Sequence, residues 1–202
     1  MTLPSTSELL AKVLDGDQEA LGILLEHYRP YLRILARRHL YSAMNPRVDP
    51  SDIVQDTCLE ACRDLPKFRG EAEGELIAWL RRILENNAAQ SIQVHIRTQK
   101  RTISREQPAA GSEDSGQAFA GVAGRQSSPS RRAMRGELAV RLAAEIESLP
   151  GDQREAVRLR HLEGLTLAEL ADHFGRSESA VAGLLKRGLR ALRHQLADTG
   201  PD

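Results

Sequence analysis

The chain of 202 residues is long enough for one or two domains, and its 28 basic and 28 acidic side chains cancel in net charge. Aromatic residues make up only 3% of the sequence, runs of β-branched residues are scarce, and no apolar run reaches the length of a membrane span. Residues 1–14 also lack the basic and apolar blocks of a signal peptide. We therefore predict an all-α protein that resides in the cytoplasm and does not associate with a membrane.

Two helices are predicted at the start of the chain. Ser7 is positioned to cap a first helix, which ends near Asp15 and is broken by Gly16. A second helix follows over residues 18–40, where apolar residues recur at helical spacing. Pro30 lies inside this pattern, so we expect a kink or a break in the helix there.

A third helix is predicted to begin at Pro50 and to end near Leu65. Its exposed face is acidic and carries Asp49, Asp52, Asp56, Glu60 and Asp64. A loop over residues 66–74 separates it from a fourth helix over about 75–97, which has its own apolar stripe. Together these helices predict one N-terminal domain over residues 7–101.

The composition changes over residues 102–131, where Gly, Ser and Pro recur and large apolar residues are nearly absent. Such a segment cannot bury enough surface to offset the entropy of ordering, so it predicts a flexible linker. Helices are predicted again over residues 136–149 and 152–162. They open a C-terminal helical domain over residues 132–197.

The C-terminal domain contains the pattern of a helix-turn-helix. Thr166 and Glu169 have the spacing of a capping box, which predicts a short helix from residue 167 to about Phe174. Gly175 provides a tight turn, and Ser177 can cap a second helix. The apolar residues of that helix recur at helical spacing: Val181, Leu184, Leu185, Leu189 and Leu192. Two short helices joined by a glycine turn are typical of a DNA-reading motif.

The second helix of this motif concentrates positive charge that the whole chain lacks. Its segment carries Arg176, Lys186, Arg187, Arg190 and Arg193 against Glu178 alone. The residues predicted to face a DNA groove are Ser177, Glu178, Ser179, Ala182, Gly183 and Lys186. Arg187 and Arg190 are better placed for phosphates. The alternative is an amphipathic helix with a solvated basic face.

No catalytic or metal-binding pattern stands out. The two cysteines, Cys58 and Cys62, lie four residues apart on the third helix without a His or Cys cluster at zinc-ligand spacing. Two partly buried thiols are the favoured interpretation, and a redox sensor or a metal pair is the alternative. There is no phosphate-binding glycine loop or flanked nucleophile either, so we predict no catalytic residue, no metal and no cofactor.

Three blocks in order resemble one family. They run from Asp49 to Ala61, from Ala78 to Asn86, and from Leu149 through the helix-turn-helix. Together they resemble a bacterial RNA polymerase sigma factor of the small, two-domain extracytoplasmic-function (ECF) type. The resemblance covers nearly the whole chain outside the linker, and it implies a transcription initiation factor rather than an enzyme.

The resemblance also implies roles for particular residues. Asp52, Gln55 and Asp56 would bind core RNA polymerase, and the helix-turn-helix would read the −35 duplex of the promoter. The opened −10 strand would be bound by Lys67, Phe68, Arg69, Arg82, Asn86 and Asn87. A core aromatic beneath the loop is the alternative for Phe68, and we expect Trp79 to belong to the core rather than to contact DNA.

The implied partners are core RNA polymerase and promoter DNA, with no small-molecule substrate, and an anti-sigma factor is left open. One alternative function is a stand-alone helix-turn-helix transcriptional regulator, which would bind duplex DNA tightly by itself. Another is a polymerase-binding decoy that has lost promoter reading. The small residues Ala180, Ala182 and Gly183 on the second helix give weight to the decoy.

Overall fold

The computed structural model describes residues 4–42, 48–106 and 129–198, and the regular secondary structure in these ranges is entirely helical. The all-α prediction is therefore confirmed. In chain order the elements are α1 (Thr6–Leu14), α2 (Gln18–Ser42), α3 (Pro50–Asp64), a 3-10 turn (Leu65–Lys67), α4 (Glu73–Glu106), α5 (Pro129–Ser148), α6 (Gly151–His161), α7 (Leu167–Phe174) and α8 (Glu178–Asp198).

The cap of α1 is Ser5, so the prediction of Ser7 was wrong. The Ser5 hydroxyl accepts a hydrogen bond from the Glu8 amide at 3.3 Å, and the Glu8 carboxylate accepts one from the Ser5 amide at 2.8 Å. Glu8 lies three residues after Ser5, which completes a capping box. Three residues after Ser7 stands Leu10, whose apolar side chain cannot accept a hydrogen bond from the Ser7 amide.

Helix α2 runs unbroken through Pro30, so of the predicted kink or break the break does not occur. A proline inside a helix removes one backbone hydrogen bond and crowds the preceding turn. Here the residues on both sides of it are buried in the same core, with Tyr28 and Leu32 fully inaccessible to solvent. The burial of both halves against one surface holds the helix together across the missing bond.

Helices α4 and α5 are longer than predicted, and both extend into the segment assigned to the linker. Helix α4 continues to Glu106, so residues 102–106 are helical rather than linker. Helix α5 begins at Pro129 instead of Gly136, because proline suits the first turn of a helix, where no amide bond is lost. The rest of the predicted linker, residues 107–128, lies outside the described residues.

The local signals of the helix-turn-helix are confirmed. The Thr166 hydroxyl accepts from the Glu169 amide at 3.2 Å, and the Glu169 carboxylate accepts from the Thr166 amide at 2.7 Å. Gly175 ends α7 in the left-handed conformation with φ of 60°. The Ser177 hydroxyl then accepts from the Ala180 amide at 3.3 Å, which caps α8.

Two apolar cores organise the molecule. The larger one joins α1 to α4, and the smaller one joins α6, α7 and α8. Helix α5 contributes to both, because Val140 and Ala143 belong to the larger core while Ile146, together with Leu149 just after the helix, belongs to the smaller one. Ile34 of α2 packs against both cores, so the two halves of the protein are in contact.

Candidate nucleic-acid interface

The outer face of α8 is open to solvent, as predicted for a recognition helix. Five of the six residues predicted to face a groove are exposed, and Gly183 is half-buried. The opposite face is held in the smaller core by Val181, Leu184 and Leu185, none of which is more than 8% exposed. The side of α8 that could meet DNA is therefore fixed by the burial of the other side.

The basic side chains of α8 are available to phosphates. Lys186, Arg187 and Arg190 are exposed, and none of them forms an ion pair with the part of the chain that the structure describes. Arg176 differs, because its guanidinium lies 2.8 Å from the Asp152 carboxylate. The positive charge that remains uncompensated thus lies along α8 rather than at the turn before it.

Gly188 sets how closely α8 approaches α6, and sequence reasoning missed it. The glycine is buried, and a Cβ built on it would lie 2.9 Å from Cγ2 of Val157 and 3.5 Å from Cβ of Gln153. Any side chain at this position would push the two helices apart. The signal was a glycine inside an otherwise strong helical pattern, which often marks a close approach of backbones.

The acidic face of α3 is also exposed. Asp52, Gln55 and Asp56 all point to solvent, and neither carboxylate forms an ion pair within the described ranges. Leu59 lies on the same face, one turn further along the helix, and is 63% exposed. Sequence reasoning missed Leu59, although its spacing of four residues from Gln55 predicts a shared face.

The inner face of α3 is buried, and the Thr57 hydroxyl on it has a hydrogen-bond partner. Ile53, Thr57 and Ala61 have no solvent-accessible surface, and the Thr57 hydroxyl donates to the Ile53 carbonyl at 2.7 Å. Asp49 caps the helix by accepting from the Ser51 amide at 2.8 Å. The acidic residues therefore lie on a helix whose orientation is fixed by the packing of its buried face.

The loop before α4 is tied together by its own charged residues. The Arg69 guanidinium donates to the carbonyls of Pro66 and Phe68 at 2.6 and 3.2 Å. Lys67 forms an ion pair with Asp64 at 2.9 Å. Both cations are exposed, so they could exchange these contacts for phosphates.

Phe68 lies in the core instead of on the surface. It is 8% exposed, and its ring centroid is 5.2 Å from that of Trp79, which packs against the same core as expected. Gly70 lies directly under the Phe68 ring, where a Cβ would collide with it. In this conformation the ring cannot stack on a base, and the alternative of a core aromatic describes its position.

The α4 residues predicted to face the −10 strand divide into two groups. Arg82 and Asn86 are exposed. Asn87 is half-buried and its amide lies 3.5 Å from the Thr57 hydroxyl, so it faces α3. The start of α4 is stabilised by Glu75, whose pKa is lowered because its carboxylate accepts from the Glu71 and Ala72 amides at 2.9 and 3.2 Å.

Both cysteines are free thiols, but their environments differ. Cys58 is half-buried, and this burial raises the pKa of its thiol. Cys62 is exposed, so the prediction of two partly buried thiols was right for Cys58 alone. No group of three or more potential metal ligands occurs among the residues that the structure describes. In the same ranges no helix is both long enough and apolar enough to cross a membrane.

Comparison with known proteins identifies both halves. Residues 24–102 match the family model for sigma-70 region 2, and residues 139–192 match that for sigma-70 region 4. The ECF RNA polymerase sigma-E factor of Escherichia coli (strain K12) is 32% identical over 165 residues, which cover 81% of this chain and 79% of that protein. The sigma-E factor of Haemophilus influenzae is 30% identical over the same length, with 81% and 80% covered.

A similar solved structure is that of CnrH in complex with the cytosolic domain of CnrY. It is 26% identical, covers 96% of this chain and 99% of that chain, and has a TM-score of 0.37. The two sigma regions are present in the expected order, and relatives are matched over most of their length. The chain therefore belongs to the ECF family of RNA polymerase sigma factors.

Proposed function

We propose that this sigma factor binds core RNA polymerase through α3 and directs initiation by contacting two promoter elements with its two halves. The observation that carries the proposal is an exposed acidic helix face and an exposed basic recognition helix in the order of sigma regions 2 and 4. The reaction itself belongs to the polymerase, so the chain contributes binding and not catalysis. Because it acts on that enzyme, its place is the cytoplasm.

The polymerase-binding surface is the outer face of α3. Asp52, Gln55 and Asp56 supply charge and hydrogen-bonding groups, and the exposed Leu59 supplies apolar area in the same row. Interfaces combine such an apolar anchor with charged neighbours, where burial gives affinity and charge gives orientation. The partner surface should therefore be basic with an apolar pocket.

The −10 strand is held at the loop before α4 and along α4 itself. Lys67, Arg69 and Arg82 would contact phosphates, and Asn86 would contact bases or sugar. Phe68 can take part only if its ring leaves the site beside Trp79. Melting a duplex costs a few kcal/mol for each unstacked step, so the gain from binding the opened strand must exceed that cost.

The −35 duplex is read by α8 in the major groove. Small side chains such as Ser179, Ala182 and Gly183 allow the helix to approach closely, while Arg187 and Arg190 hold phosphates on either side. Few of these side chains make strong base contacts, so phosphate binding and DNA shape would supply a large share of the affinity.

Run-off transcription with purified core polymerase tests this function. A pool of promoter fragments is transcribed with and without the protein, and we expect specific start sites that appear only with it. Co-elution with core enzyme is measured on the same samples. Binding to core without any initiation would indicate the polymerase-binding decoy. Absence of co-elution, with tight duplex binding, would contradict the proposal, although a stand-alone regulator is not favoured because both sigma regions match.

A further inference from the structure

A cavity of about 300 Å³ lies between α2 and α6, beside the end of α5. Its lining contains four guanidinium groups and only two carboxylates. Arg33 and Arg37 belong to α2, and Arg154 and Arg158 belong to α6. Small-molecule sites have volumes of about 300–1,000 Å³, so this cavity is at the lower end of that range. It therefore combines the size of a small-molecule site with an excess of positive charge.

Three of these arginines share a single carboxylate. Glu147 of α5 lies 3.0 Å from the Arg33 guanidinium and 3.2 Å from that of Arg154. Arg37, one turn after Arg33, forms no ion pair and no hydrogen bond with the residues that the structure describes. Two positive charges are thus left over at this end of the cavity. A phosphate monoester carries a charge of about −1.5 to −2 at pH 7, so one such group would compensate them.

The position of Arg37 does not favour the stability of the protein. The side chain is half-buried, and burial together with the like charge of Arg158 lowers the pKa of its guanidinium. The Glu155 and Glu163 carboxylates attract Arg37, but both are already bonded to Arg158. Removing a cation from water without its own partner destabilises a fold. A bound anion would supply that partner.

The row of arginines on α2 continues to a second, smaller cavity. Arg29 lies one turn before Arg33, and both line a cavity of about 100 Å³ together with Ser51 of α3. Nε of Arg29 is buried and has no hydrogen-bond partner within the described ranges, although its Nη2 lies 3.2 Å from the Glu26 carboxylate. Guanidinium groups thus follow one face of α2 at intervals of four residues, a spacing at which like charges repel. An anion beside Arg33 would reduce this repulsion.

Part of the lining of the larger cavity is apolar. Pro30 and Ile34 contribute to it from α2, and Ile146 contributes from α5. An inorganic ion would leave this apolar surface uncovered, whereas the organic part of a larger anion would remove it from water. The lining therefore matches a molecule with one charged end and one less polar end.

We propose that the larger cavity binds a small organic phosphate monoester, whose phosphate group lies between Arg33, Arg37 and Arg154. The planar guanidinium binds phosphate oxygens in pairs, and here such groups come from two helices. A carboxylate has two oxygens and one charge, so it would satisfy fewer of these donors. The site is separate from the outer faces of α3 and α8, and it can be tested in the absence of polymerase and DNA.

Isothermal titration of the full chain tests the site, at an ionic strength of about 0.15 M to screen exposed charges. The probes are phenyl phosphate, adenosine monophosphate, inorganic phosphate and benzoate. We expect at least one of the two esters to bind saturably with a Kd below about 1 mM, and inorganic phosphate and benzoate to bind at least about tenfold more weakly. No binding of either ester would overturn the proposal. Equal binding of inorganic phosphate would mean an adventitious ion only, and equal binding of benzoate would mean a general anion site.

Arg37→Met separates a binding role from a structural one. The variant should bind the ester at least about tenfold more weakly, because charged hydrogen bonds to the phosphate are lost. Without ligand its melting temperature should be unchanged or higher, because a half-buried charge is removed. Arg38→Met is the matched control, since Arg38 is exposed and does not line the cavity. Unchanged affinity of Arg37→Met, or the same loss of affinity in both variants, would overturn the proposal.

A second pair of variants covers the case in which Arg37→Met does not fold. Gly151 lines the cavity at the start of α6, and a Cβ built on it would meet no atom within 4 Å. Gly151→Glu should fold, because an acidic residue suits the first turn of a helix, and its carboxylate should repel the phosphate. Gly151→Gln adds a side chain of the same size without the charge. We expect at least about tenfold weaker binding of the ester by Gly151→Glu than by Gly151→Gln. Equal affinities of the two variants would overturn the proposal.

Discussion

Helices α3 and α8 are built by the same rules but present opposite chemistry. Each has a side-chain cap at its start, Asp49 for α3 and Ser177 for α8, and each buries one face completely. The outer face of α3 carries carboxylates and an exposed leucine, whereas that of α8 carries small residues and uncompensated cations. The buried faces thus determine the fold, and the outer faces carry the contrasting chemistry that we propose for binding polymerase and DNA.

The largest expected effect concerns the outer face of α3. Asp52→Arg combined with Gln55→Ala should abolish binding to core polymerase, because it reverses the charge at the centre of the proposed interface. Pull-down with core enzyme measures the loss, and circular dichroism should be unchanged because both positions are exposed. Asp15→Arg is the matched control, since Asp15 directly follows α1, which packs on α2 and α4 rather than on α3. Normal binding of the double variant to core polymerase would show that this face of α3 does not form the interface.

The next effect concerns the buried side of α8. Gly188→Ala should lower the free energy of unfolding by about 1–3 kcal/mol, because the new methyl group overpacks against Val157. Gly183→Ala is the control on the same helix. Its Cβ would meet only the flexible end of Arg187 at 3.4 Å, so it should raise stability by up to about 1 kcal/mol. Urea unfolding measures both, and equal effects would mean that α6 and α8 are not closely packed at Gly188.

A smaller effect is expected on the outer side of α8. Arg187→Ala should weaken promoter binding for all sequences alike and reduce the slope of log affinity against log salt by about one. The reason is the loss of one phosphate contact and of the counterion that this contact releases. Titrations of holoenzyme at several salt concentrations measure the slope, with Lys12→Ala on α1 as the control. If the slope of the Arg187 variant matches that of the wild type, this arginine does not contact phosphate.

The smallest effect is a pH dependence shared by the two capping boxes. Hydrogen bonds from the Thr166 backbone and side chain hold the pKa of Glu169 below its ordinary value of 4.5, and Ser5 does the same for Glu8. A lowered folded-state pKa means that the stabilisation is present above about pH 4.5 and is lost as the pH falls through the lowered value. Glu169→Gln should therefore make the melting temperature fall less steeply as the pH is lowered below about 4.5. The same pH dependence of the melting temperature in the variant and the wild type would show that the Glu169 carboxylate does not contribute.

Local signals in the sequence were sufficient to predict the helix-turn-helix but not to predict where α5 begins or what it contacts. The Thr166 cap, the Gly175 turn and the buried row of α8 depend on residues within a few positions of one another, and all of them are confirmed. The start of α5 and its contact with two cores depend on residues far away in the chain, such as Ile77. Composition suggested a linker at residues 129–131 because amino-acid composition carries no information about contacts with residues distant in the chain.

The candidate site divides in the same way. Exposure of the α3 and α8 faces follows from helical periodicity, so the sequence predicted which residues point outward. The positions of Phe68 and Asn87 follow from tertiary partners, Trp79 for the ring and Thr57 for the amide. Periodicity along one helix cannot reveal a neighbour on another, so it did not predict that these two residues lie inward.

The contact between Phe68 and Trp79 gives the protein a built-in optical reporter. Trp79 is the single tryptophan of the chain, so intrinsic indole fluorescence comes from one half-buried site beside the loop before α4. Any movement of Phe68 out of the core would admit water to one side of the indole and shift its emission to longer wavelength. Rearrangement of this loop in the isolated protein can therefore be followed in real time without a label.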